Sequence, residues 1–305
     1  MLINRPGKIC DGLYMLGRGQ SLAYLLQGQQ SMIIGGAMSW IVPQLEQQFK
    51  DFDIDTYSIG YIVIPHSHFD HFGAVPYLKR RLPRMKVLAT EAAAAILAKE
   101  KVITYSEMVN KLMIDSYKLQ QDYEEMNLKI DAVTIDLAVD NSSVIDLGNG
   151  VEVKFIQTPG HSPGDVTVYV PSLKAIFPSD AVPCPMGSID KLARPSPQFD
   201  FTLYKKSIDM LLTLDIDICC FDHFAAVAGA DARQILVNAQ KLCMDYQEHI
   251  VEQYRLTGDL EQVAGQVARE TLALASFDFL NQELMMPISR AEVRNVLKSA
   301  GLIGS

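Results

Sequence analysis

The sequence predicts an α/β fold in which a mixed body of strands and helices carries a helical extension at its carboxy-terminal end. Three observations predict it: β-rich apolar runs recur along most of the chain, helical patterns dominate from Ala232 onward, and side chains of metal-ligating type follow several predicted strands. The 305 residues are 49% hydrophobic and 21% charged. The chain therefore has enough apolar surface for a packed core, and disorder is excluded as its main state.

Short apolar or alternating segments predict the strands, which are Ile9–Leu16, Ser21–Gln27, Ser31–Ile34, Tyr61–Ile64, Val151–Ile156, Asp165–Val170, Ala175–Phe177 and Ile216–Phe221. Tyr61–Ile64 is a continuous apolar run, which is typical of a strand buried on both faces. A tight turn is expected at Gly28 and Gln29. The uncharged stretch over residues 19–45 is broken by glutamines and glycines, so its apolar runs are too short to span a membrane.

Helical segments are predicted before, between and after these strands. A helix is expected over Val42–Lys50, and residues 90–127 have helical character with Thr90 as the N-cap. The carboxy-terminal region carries signals of helix boundaries, namely the capping-box pairs Asp259 with Gln262 and Ser289 with Glu292, and Gly301 at a helix end.

Charge and cysteine content restrict the classes of partner. Lysine and arginine number 27 and aspartate and glutamate 36, so the net charge is −9, and no basic stretch of the kind that binds nucleic acid is present. Neither a nucleic-acid nor a membrane partner is expected, and a homodimer is possible. The five cysteines form no CxxC pair, and adjacent Cys219 and Cys220 are expected in the core. Because no secretory signal is visible either, the predicted location is the cytoplasm.

The strongest chemical signal is an HxHxDH motif directly after the Tyr61–Ile64 strand. It contains His66, His68, Asp70 and His71, which include half of the six histidines in the chain. Imidazole and carboxylate groups are ligands for zinc, iron or manganese, and a loop at a strand end can turn all four side chains inward. The alternative, a polar surface loop, is disfavoured by this concentration of histidines.

Three further candidate ligands each follow a predicted strand. His161 follows Val151–Ile156, Asp180 follows Ala175–Phe177, and His223 follows the run that ends at Phe221. With the HxHxDH motif they make seven candidates along one edge of the predicted sheets, a supply sufficient for two divalent metal ions. His249 lies in a helical pattern without such neighbours and is expected to be an ordinary surface residue.

This order of motifs, HxHxDH, then Gly160-His161, then Asp180, then His223, resembles the metallo-β-lactamase superfamily over residues 10–230. The resemblance implies an αββα sandwich, two sheets packed face to face with helices outside. It implies that His66, His68 and His161 hold one metal ion, that Asp70, His71 and His223 hold a second, and that Asp180 bridges the two ions.

A closer resemblance, to the quinolone-signal response thioesterases of this superfamily, extends along the whole chain. The strings that carry it are Pro76-Tyr77-Leu78, Arg81-Leu82-Pro83, Val87-Leu88-Ala89, Glu91, Arg194-Pro195, Asp278-Phe279-Leu280, Glu283-Leu284 and Ser289. It implies a catalytic domain over residues 1–231, with a helical insertion at about residues 90–130, and a helical extension over residues 232–305 that covers the active site.

Two positions depart from the superfamily pattern. The strand Ser31–Ile34 is followed by Gly35, where relatives often have an acidic residue, so a possible carboxylate next to the metal ligands is missing. The last histidine commonly follows a glycine, whereas Asp222 precedes His223 here. Both departures concern the surroundings of the metal ligands, and none of the seven ligands is missing.

The resemblance implies a binuclear metal hydrolase that cleaves a thioester, or a related ester or lactone, by attack of a metal-bridging hydroxide. Asp70 and Asp180 are the predicted catalytic carboxylates and act first as metal ligands; the metal is zinc, iron or manganese. Two alternatives remain open: an iron-dependent sulfur dioxygenase of the same superfamily, and a regulatory module of this fold that acts through a protein partner. Ser188 and Lys191 match the SxxK motif of serine β-lactamases, but the accompanying SDN and KTG motifs are absent.

The walls of the substrate site are predicted in outline only. The proline-rich segment over residues 181–200 follows Asp180 directly and is expected to border the site. In the tail, Phe277, Phe279, Met285 and Met286 form either an apolar lid or ordinary packing contacts. Arg194 and Lys191 either meet an anionic group of the substrate or, as the preferred interpretation, are solvated surface charges.

Overall fold

The structure, a computed structural model, describes residues 1–274, 277 and 280–304. Its strands are β1 (Leu2–Ile3), β2 (Gly7–Cys10), β3 (Leu13–Arg18), β4 (Ser21–Gln27), β5 (Ser31–Ile34), β6 (Ile59–Val63), β7 (Lys86–Ala89), β8 (Leu137–Ala138), β9 (Val144–Asp146), β10 (Glu152–Gln157), β11 (Val166–Val170), β12 (Ala175–Phe177), β13 (Pro185–Ser188), β14 (Lys191–Leu192), β15 (Ile218–Cys220) and β16 (Ala226–Ala228). Its α-helices are α1 (Val42–Asp51), α2 (Val75–Arg81), α3 (Glu91–Leu97), α4 (Glu100–Ser116), α5 (Gln120–Glu125), α6 (Phe201–Leu211), α7 (Ala230–Thr257), α8 (Leu260–Leu274) and α9 (Gln282–Ser299).

Two seven-stranded sheets pack face to face. The first has the strand order β2-β3-β4-β5-β6-β7-β8, and the second has the order β1-β16-β15-β12-β11-β10-β9. In the first sheet, β5 to β8 run parallel to one another, and in the second β12 runs parallel to β15. The strands β13 and β14 form a separate antiparallel hairpin. Helices cover the outer faces of both sheets, so the predicted αββα sandwich with a helical extension is confirmed.

Alternating side chains of β4 serve two different cores. Leu22, Tyr24 and Leu26 point into the apolar core between the two sheets, whereas Ala23 and Leu25 point outward into the core beneath helices α1 to α4. Successive side chains of a strand face opposite sides. A strand buried on both faces therefore has a continuous apolar sequence, as the sequence predicts for β6, which lies on the other side of β5 in the same sheet.

The third core lies between the second sheet and helices α6 to α9. The short strand β15 joins it to the core between the sheets, because adjacent Cys219 and Cys220 point to opposite faces. Cys219 packs beneath the helices and Cys220 packs between the sheets, and both are fully buried. The prediction that these two cysteines are core residues is confirmed.

Most predicted elements are present with small shifts in their ends. Ser21–Gln27, Ser31–Ile34 and Ala175–Phe177 are strands with the predicted bounds. The single strand predicted over Ile9–Leu16 is wrong: a turn at Asp11 and Gly12 divides it into β2 and β3, which pair with each other. Gly12 has a φ of 76°, a conformation that glycine adopts without steric cost.

The helical segments also follow the sequence, with one exception. The Thr90 side chain accepts a hydrogen bond from the Ala93 backbone N–H and caps α3 as predicted. Asp259 accepts hydrogen bonds from the backbone N–H groups at the start of α8, and Gly301 follows the end of α9 with a φ of 70°. The capping box predicted at Ser289 and Glu292 is wrong, since both residues lie buried in the middle of α9.

The carboxy-terminal extension consists of α7, α8 and α9, and α7 already begins at Ala230. Within the described part of the chain, no helix is both long and apolar enough to cross a membrane. The division into a catalytic domain over residues 1–231 and a separate extension over residues 232–305 stays a prediction.

Candidate metal centre

The seven predicted ligands follow four strands whose carboxyl ends meet at one edge of the sandwich. The HxHxDH loop follows β6 of the first sheet, and His161, Asp180 and His223 follow β10, β12 and β15 of the second. In the second sheet these three strands run in the same direction, because β11 is antiparallel to both β10 and β12, and β15 is parallel to β12. Their ends therefore lie at the same edge, opposite the end of β6.

The ligand atoms form two groups, each within 4.8 Å: His66, His68, His161 and Asp180 in one, and Asp70, His71 and His223 in the other. Asp180 also faces the second group. Its Oδ2 atom lies 3.3 Å from His71 Nε2, and its Oδ1 atom lies 3.5 Å from His223 Nε2. The structure thus brings all seven residues together, with the Asp180 carboxylate between the two groups.

Hydrogen bonds on the outer nitrogen orient three of the imidazoles. His161 Nδ1 donates to the Ser196 carbonyl at 2.7 Å, His223 Nδ1 donates to the Gln20 carbonyl at 2.6 Å, and His71 Nδ1 donates to an Asp222 carboxylate oxygen at 2.8 Å. Each bond leaves the Nε2 lone pair free to face the centre. This arrangement is typical of metal-binding histidines, whose second nitrogen is held by an acceptor.

The His161 loop is held tightly against the neighbouring helices. A Cβ atom on Gly160 would lie 2.3 Å from the Tyr204 Cα atom of α6, so no other residue fits at this position without displacing backbone. After His161, the Ser162 hydroxyl donates to the buried Asp165 carboxylate at 2.7 Å. Both contacts fix the backbone on either side of the ligand.

The charges of the site are strongly coupled. Burial, together with the adjacent His161 imidazole, lowers the pKa of His68 to about 3, so this imidazole is neutral at physiological pH. Burial raises the pKa of Asp70, but the surrounding imidazoles, His71 first, outweigh it and hold that pKa at about 2. Burial likewise opposes ionisation of Asp180, yet His71, His223 and His161 keep its pKa well below the usual range. Two ionised carboxylates therefore lie among the imidazoles.

This donor set fits two divalent transition-metal ions. Five imidazoles and two carboxylates converge, and His68 Nδ1 faces the Nε2 atoms of His66 and His161 at 3.1 and 2.9 Å. Nitrogen and carboxylate donors of this kind suit zinc, iron and manganese alike. The chemistry of the cluster thus supports a binuclear metal site and leaves the metal open.

A cavity of about 830 Å³ opens over the ligands. On the side of the body it is bordered by the segment after Asp180, including Val182, Pro183 and Ser196, so the expectation that residues 181–200 border the site is confirmed. The carboxy-terminal extension contributes an apolar wall, which consists of Leu274, Phe277, Leu280, Leu284, Met285 and Ile288. The Phe277 ring lies edge-on to the His223 ring, with 5.0 Å between centroids.

One corner of the cavity is polar. Glu292 of α9 is buried there, and its carboxylate accepts hydrogen bonds from the Ser196 hydroxyl at 2.6 Å and from the Tyr246 hydroxyl at 3.3 Å. Burial raises the pKa of Glu292 above its ordinary value. Because the Ser196 carbonyl also holds His161, this corner connects the tail to a candidate metal ligand.

Arg194 lies at the cavity beside this corner and forms an ion pair with Glu270 of α8. The preferred interpretation of Arg194 as a solvated surface charge is therefore wrong, because its side chain is only 19% exposed. Lys191 is exposed in β14, as that interpretation expects. His249, expected to be an ordinary surface residue, is half-buried with its Nε2 atom 3.3 Å from Glu270 Oε2.

The four apolar tail residues for which a lid and packing contacts were both open differ in their positions. Phe277 and Met285 line the cavity. Met286 is described by the structure but does not line it. Phe279 lies outside the described residues, as does Asp278 of the thioesterase-like string. Met285 both borders the cavity and packs against the rest of the chain, since this residue is only 3% exposed.

Sequence reasoning missed the wall of the cavity that α3 and α4 provide and the role of Glu292. Ile96, Lys101, Val102 and Tyr105 border the cavity from these helices, but their pattern resembles that of any amphipathic helix. The buried position of Glu292 is predictable from the sequence, because this residue shares the buried face of α9 with Met285, Ser289 and Val296 at helical spacing. The carbonyl groups of Gln20 and Ser196 have no sequence signal.

A family model described as the metallo-beta-lactamase superfamily matches residues 16–223 of the chain. Among curated proteins, a metallo-beta-lactamase fold-containing protein of Sulfurisphaera tokodaii is 25% identical over 215 residues, which are 70% of this chain and 76% of that protein. An anaerobic nitric oxide reductase flavorubredoxin of Vibrio vulnificus is 27% identical over 170 residues. Those residues are 55% of this chain but only 28% of the flavorubredoxin, so the chain spans little more than a quarter of that relative.

Solved structures are similar to nearly the whole chain. A metallo-beta-lactamase family protein of Thermus thermophilus superposes with a TM-score of 0.68 at 18% identity, covering 97% of this chain and 96% of that one. The archaeal superfamily protein from Sulfolobus tokodaii superposes with a TM-score of 0.58 at 18% identity, covering 95% and 99%. At such identities, these similarities show the fold, including its helical extension.

Proposed function

The chain belongs to the metallo-β-lactamase superfamily, and we propose that it is a binuclear metal hydrolase that cleaves a thioester or a related ester or lactone. Members of this superfamily are mostly metal-dependent hydrolases. The observation that carries the proposal is the position of a seven-residue donor set at the base of a cavity with an apolar wall. Two bound divalent ions would supply a water-derived nucleophile at neutral pH and polarise the substrate carbonyl.

The residues of the chain have distinct roles in this proposal. His66, His68 and His161 would hold one ion, Asp70, His71 and His223 would hold the other, and Asp180 lies where it could serve both. A carboxylate that holds a metal ion is ionised, so Asp70 and Asp180 are not proton donors for the leaving group. A thiolate departs without such a donor, which favours a thioester over an alkyl ester.

The cavity supports an apolar acyl group as the part of the substrate that is held during cleavage. Leu274, Leu280, Leu284 and Ile288 from the tail line the same cavity as Ile96 of α3, Val102 of α4 and several of the candidate ligands. Removing apolar surface from water contributes about 25 cal/mol per Å². An acyl chain or ring of several carbons would therefore be bound by this wall, with its carbonyl directed toward the ligands.

The proposal is tested by metal reconstitution followed by a substrate screen. The metal-free protein is loaded separately with Zn²⁺, Fe²⁺ or Mn²⁺ and incubated with acyl thioesters of increasing acyl length, with lactones and with aryl esters. We expect metal-dependent release of free thiol that increases with acyl length up to the size of the cavity. A protein that binds two metal ions and cleaves none of these compounds would contradict the proposal.

The same preparations test the two alternatives. Persulfide-dependent oxygen uptake by protein containing a single iron would indicate a sulfur dioxygenase. A cellular phenotype that survives the substitution Asp180→Ala, with the fold intact, would indicate a regulatory module acting through a protein partner. The cytoplasmic location and the homodimer stay predictions.

A further inference from the structure

Two positions that depart from the superfamily pattern face each other in the structure. Gly35 follows β5 in the first sheet, and Asp222 follows β15 in the second. A Cβ atom on Gly35 would lie 3.2 Å from Asp222 Oδ1, tighter than ordinary contact. Gly35 also has a φ of 89°, a conformation that disfavours any other residue. The Asp222 carboxylate therefore occupies space that a side chain at position 35 would need.

The Asp222 carboxylate is buried and held in one orientation. Its side chain is 4% exposed, and its Oδ2 atom accepts hydrogen bonds from His71 Nδ1 at 2.8 Å and from the Ser179 hydroxyl at 2.7 Å. The Asp222 carbonyl accepts a further hydrogen bond, from the Leu22 N–H at 2.8 Å. A buried carboxylate with this many donors is fixed by the fold.

Asp222 differs from the other groups that hold the candidate ligands. The outer nitrogens of His161 and His223 donate to backbone carbonyls, which are neutral. Asp165 is a carboxylate, but its Oδ1 atom lies 3.8 Å from His66 Nδ1, beyond hydrogen-bond distance. Among the described residues, Asp222 is thus the carboxylate that accepts a hydrogen bond from the outer nitrogen of a candidate ligand.

We propose that Asp222 is a positioning residue that fixes the tautomer and orientation of His71 and strengthens metal binding by the Asp70, His71 and His223 group, and that Gly35 is required to leave room for its carboxylate. This role rests on the proposed metal centre. With Nδ1–H donated to Asp222, His71 directs its Nε2 lone pair to the centre, 3.4 Å from Asp70 Oδ2. A carboxylate acceptor also makes the imidazole a stronger donor to a metal ion.

The effect should be larger in one of the two groups. The Asp222 carboxylate bonds directly to His71, and among the described residues it approaches the other group only through the Ser179 hydroxyl, whose Oγ atom lies 3.4 Å from His66 Nδ1. Loss of this carboxylate should therefore weaken the binding of one metal ion more than the binding of the other. A merely structural buried group would instead lower the stability of the metal-free chain and leave both metal affinities unchanged.

The test measures the two Zn²⁺ dissociation constants by chelator competition for the wild type, Asp222→Asn and Asp222→Gly. Asn keeps the shape and one acceptor oxygen, whereas Gly removes the group. One of the two constants should rise about 10- to 100-fold in Asp222→Gly, which is the usual cost of losing such an outer partner, and it should rise less in Asp222→Asn. The other constant should change less in both variants. Wild-type constants in both variants, with circular dichroism showing a folded chain, would overturn the proposal.

A matched control is Gln48→Ala. Gln48 is also buried and polar, and it bonds to the Gly17 N–H at 2.7 Å and to the Gly17 carbonyl at 2.9 Å without contacting a candidate ligand. This variant should lower the stability of the metal-free chain and leave both dissociation constants at their wild-type values. A loss of metal affinity in Gln48→Ala equal to that in Asp222→Gly would mean that general destabilisation explains both.

The role of Gly35 is tested in two backgrounds. In the wild type, Gly35→Ala should weaken metal binding by the Asp70, His71 and His223 group, because the new Cβ atom displaces Asp222. In the Asp222→Gly background it should have no further effect on metal affinity. Strain from the φ of position 35 is common to both backgrounds and cancels. Equal losses in both would show that the two positions act independently and would overturn this part of the proposal.

Metal affinity is measured without turnover, so this inference and the proposed hydrolysis fail separately. A chain that binds two ions, shows the Asp222 effect and cleaves no ester refutes the reaction alone. An active hydrolase whose Asp222 variants bind both ions like the wild type refutes the positioning role alone.

Discussion

Loops from four strand ends and helices from two chain segments border the same cavity, but they are held in different ways. The loops carry His66 to His71, His161, Asp180 and His223, and hydrogen bonds to carboxylate and carbonyl groups fix them. The helices α3, α4, α8 and α9 contribute mainly apolar side chains that are held by packing. For the proposed hydrolase, this difference predicts that the loops determine the reaction and that the helices determine the choice of acyl group.

The largest effect is expected from a substitution in the loops. Asp180→Asn should abolish the bridging charge between His71, His161 and His223. We expect hydrolysis to fall more than about 100-fold, since even an outer partner of a metal ligand contributes 10- to 100-fold, and the bound metal to fall below two ions per chain. Elemental analysis and thiol release measure both.

Asp190→Asn is the matched control for this substitution, because Asp190 is exposed in the turn between β13 and β14. It should keep both ions and the full rate. Two ions and an unchanged rate in Asp180→Asn would mean that the loops do not determine the chemistry.

A substitution in the helices should change the selectivity for acyl length and leave the metal content unchanged. Ile288→Phe adds volume at the cavity wall on α9. We expect kcat/KM for long acyl thioesters to fall about 10-fold or more, the usual effect of crowding an apolar pocket, with short acyl thioesters and metal content unchanged. Rates across a series of acyl lengths measure the effect.

Met286→Phe is the control for that change, since Met286 lies two residues earlier on α9 and does not line the cavity. It should leave the dependence on acyl length unchanged. An equal loss at every acyl length in Ile288→Phe would place the wall of the acyl site elsewhere.

The contact between the start of α3 and the His161 loop should contribute to stability. The Thr90 hydroxyl caps α3 and donates to the Gly164 carbonyl at 2.8 Å, next to the His161 loop. Thr90→Ala should lower the free energy of unfolding by about 1 kcal/mol through loss of the cap, measured by urea denaturation. Thr90→Ser keeps the hydroxyl and should retain most of the stability; equal values for both variants would argue against the cap.

The smallest expected effect is a change in how the free energy of unfolding depends on pH, caused by Glu292. Burial raises the pKa of Glu292 above 4.5, although Ser196, His161, Tyr246 and Arg194 favour its ionised form. The folded state therefore binds this proton more tightly than the unfolded state, so the wild type loses stability as pH rises through the folded pKa. The Glu292→Gln variant lacks this loss.

Urea denaturation of both proteins at several pH values measures the difference. The stability of Glu292→Gln relative to the wild type should increase as pH rises above 4.5. Because all other ionisable groups are shared, their contributions cancel in the comparison. A difference that is constant across this range would show that Glu292 has no raised pKa.

The sequence predicts the loops better than the helices, and the reason is physical. A metal centre needs particular donor atoms at strand ends, so His66, His161 and Asp180 are recognisable from residue type and position. An apolar wall has no such requirement, and the pattern of Leu284 or Val102 is the same whether the side chain packs in a core or lines a cavity.

Three errors have identifiable causes. The strand predicted over Ile9–Leu16 ignored the turn that Gly12 permits. The capping box at Ser289 and Glu292 followed a four-residue pattern and neglected the apolar periodicity around it, which continues through α9. The prediction of a solvated Arg194 is wrong because its partner, Glu270, lies 76 residues away in sequence. Long-range pairs of this kind cannot be read from local pattern.

The adjacent Cys219 and Cys220 thiols of β15 can report which parts of the structure separate during unfolding. Burial raises the pKa of the Cys219 and Cys220 thiols well above the ordinary value, and the thiolate is the form that reacts with alkylating reagents. Each thiol therefore becomes labelled only when its own side of the strand opens. Cys219 reports detachment of the helices and Cys220 reports parting of the two sheets, so the order of alkylation at neighbouring positions records which layer comes apart first.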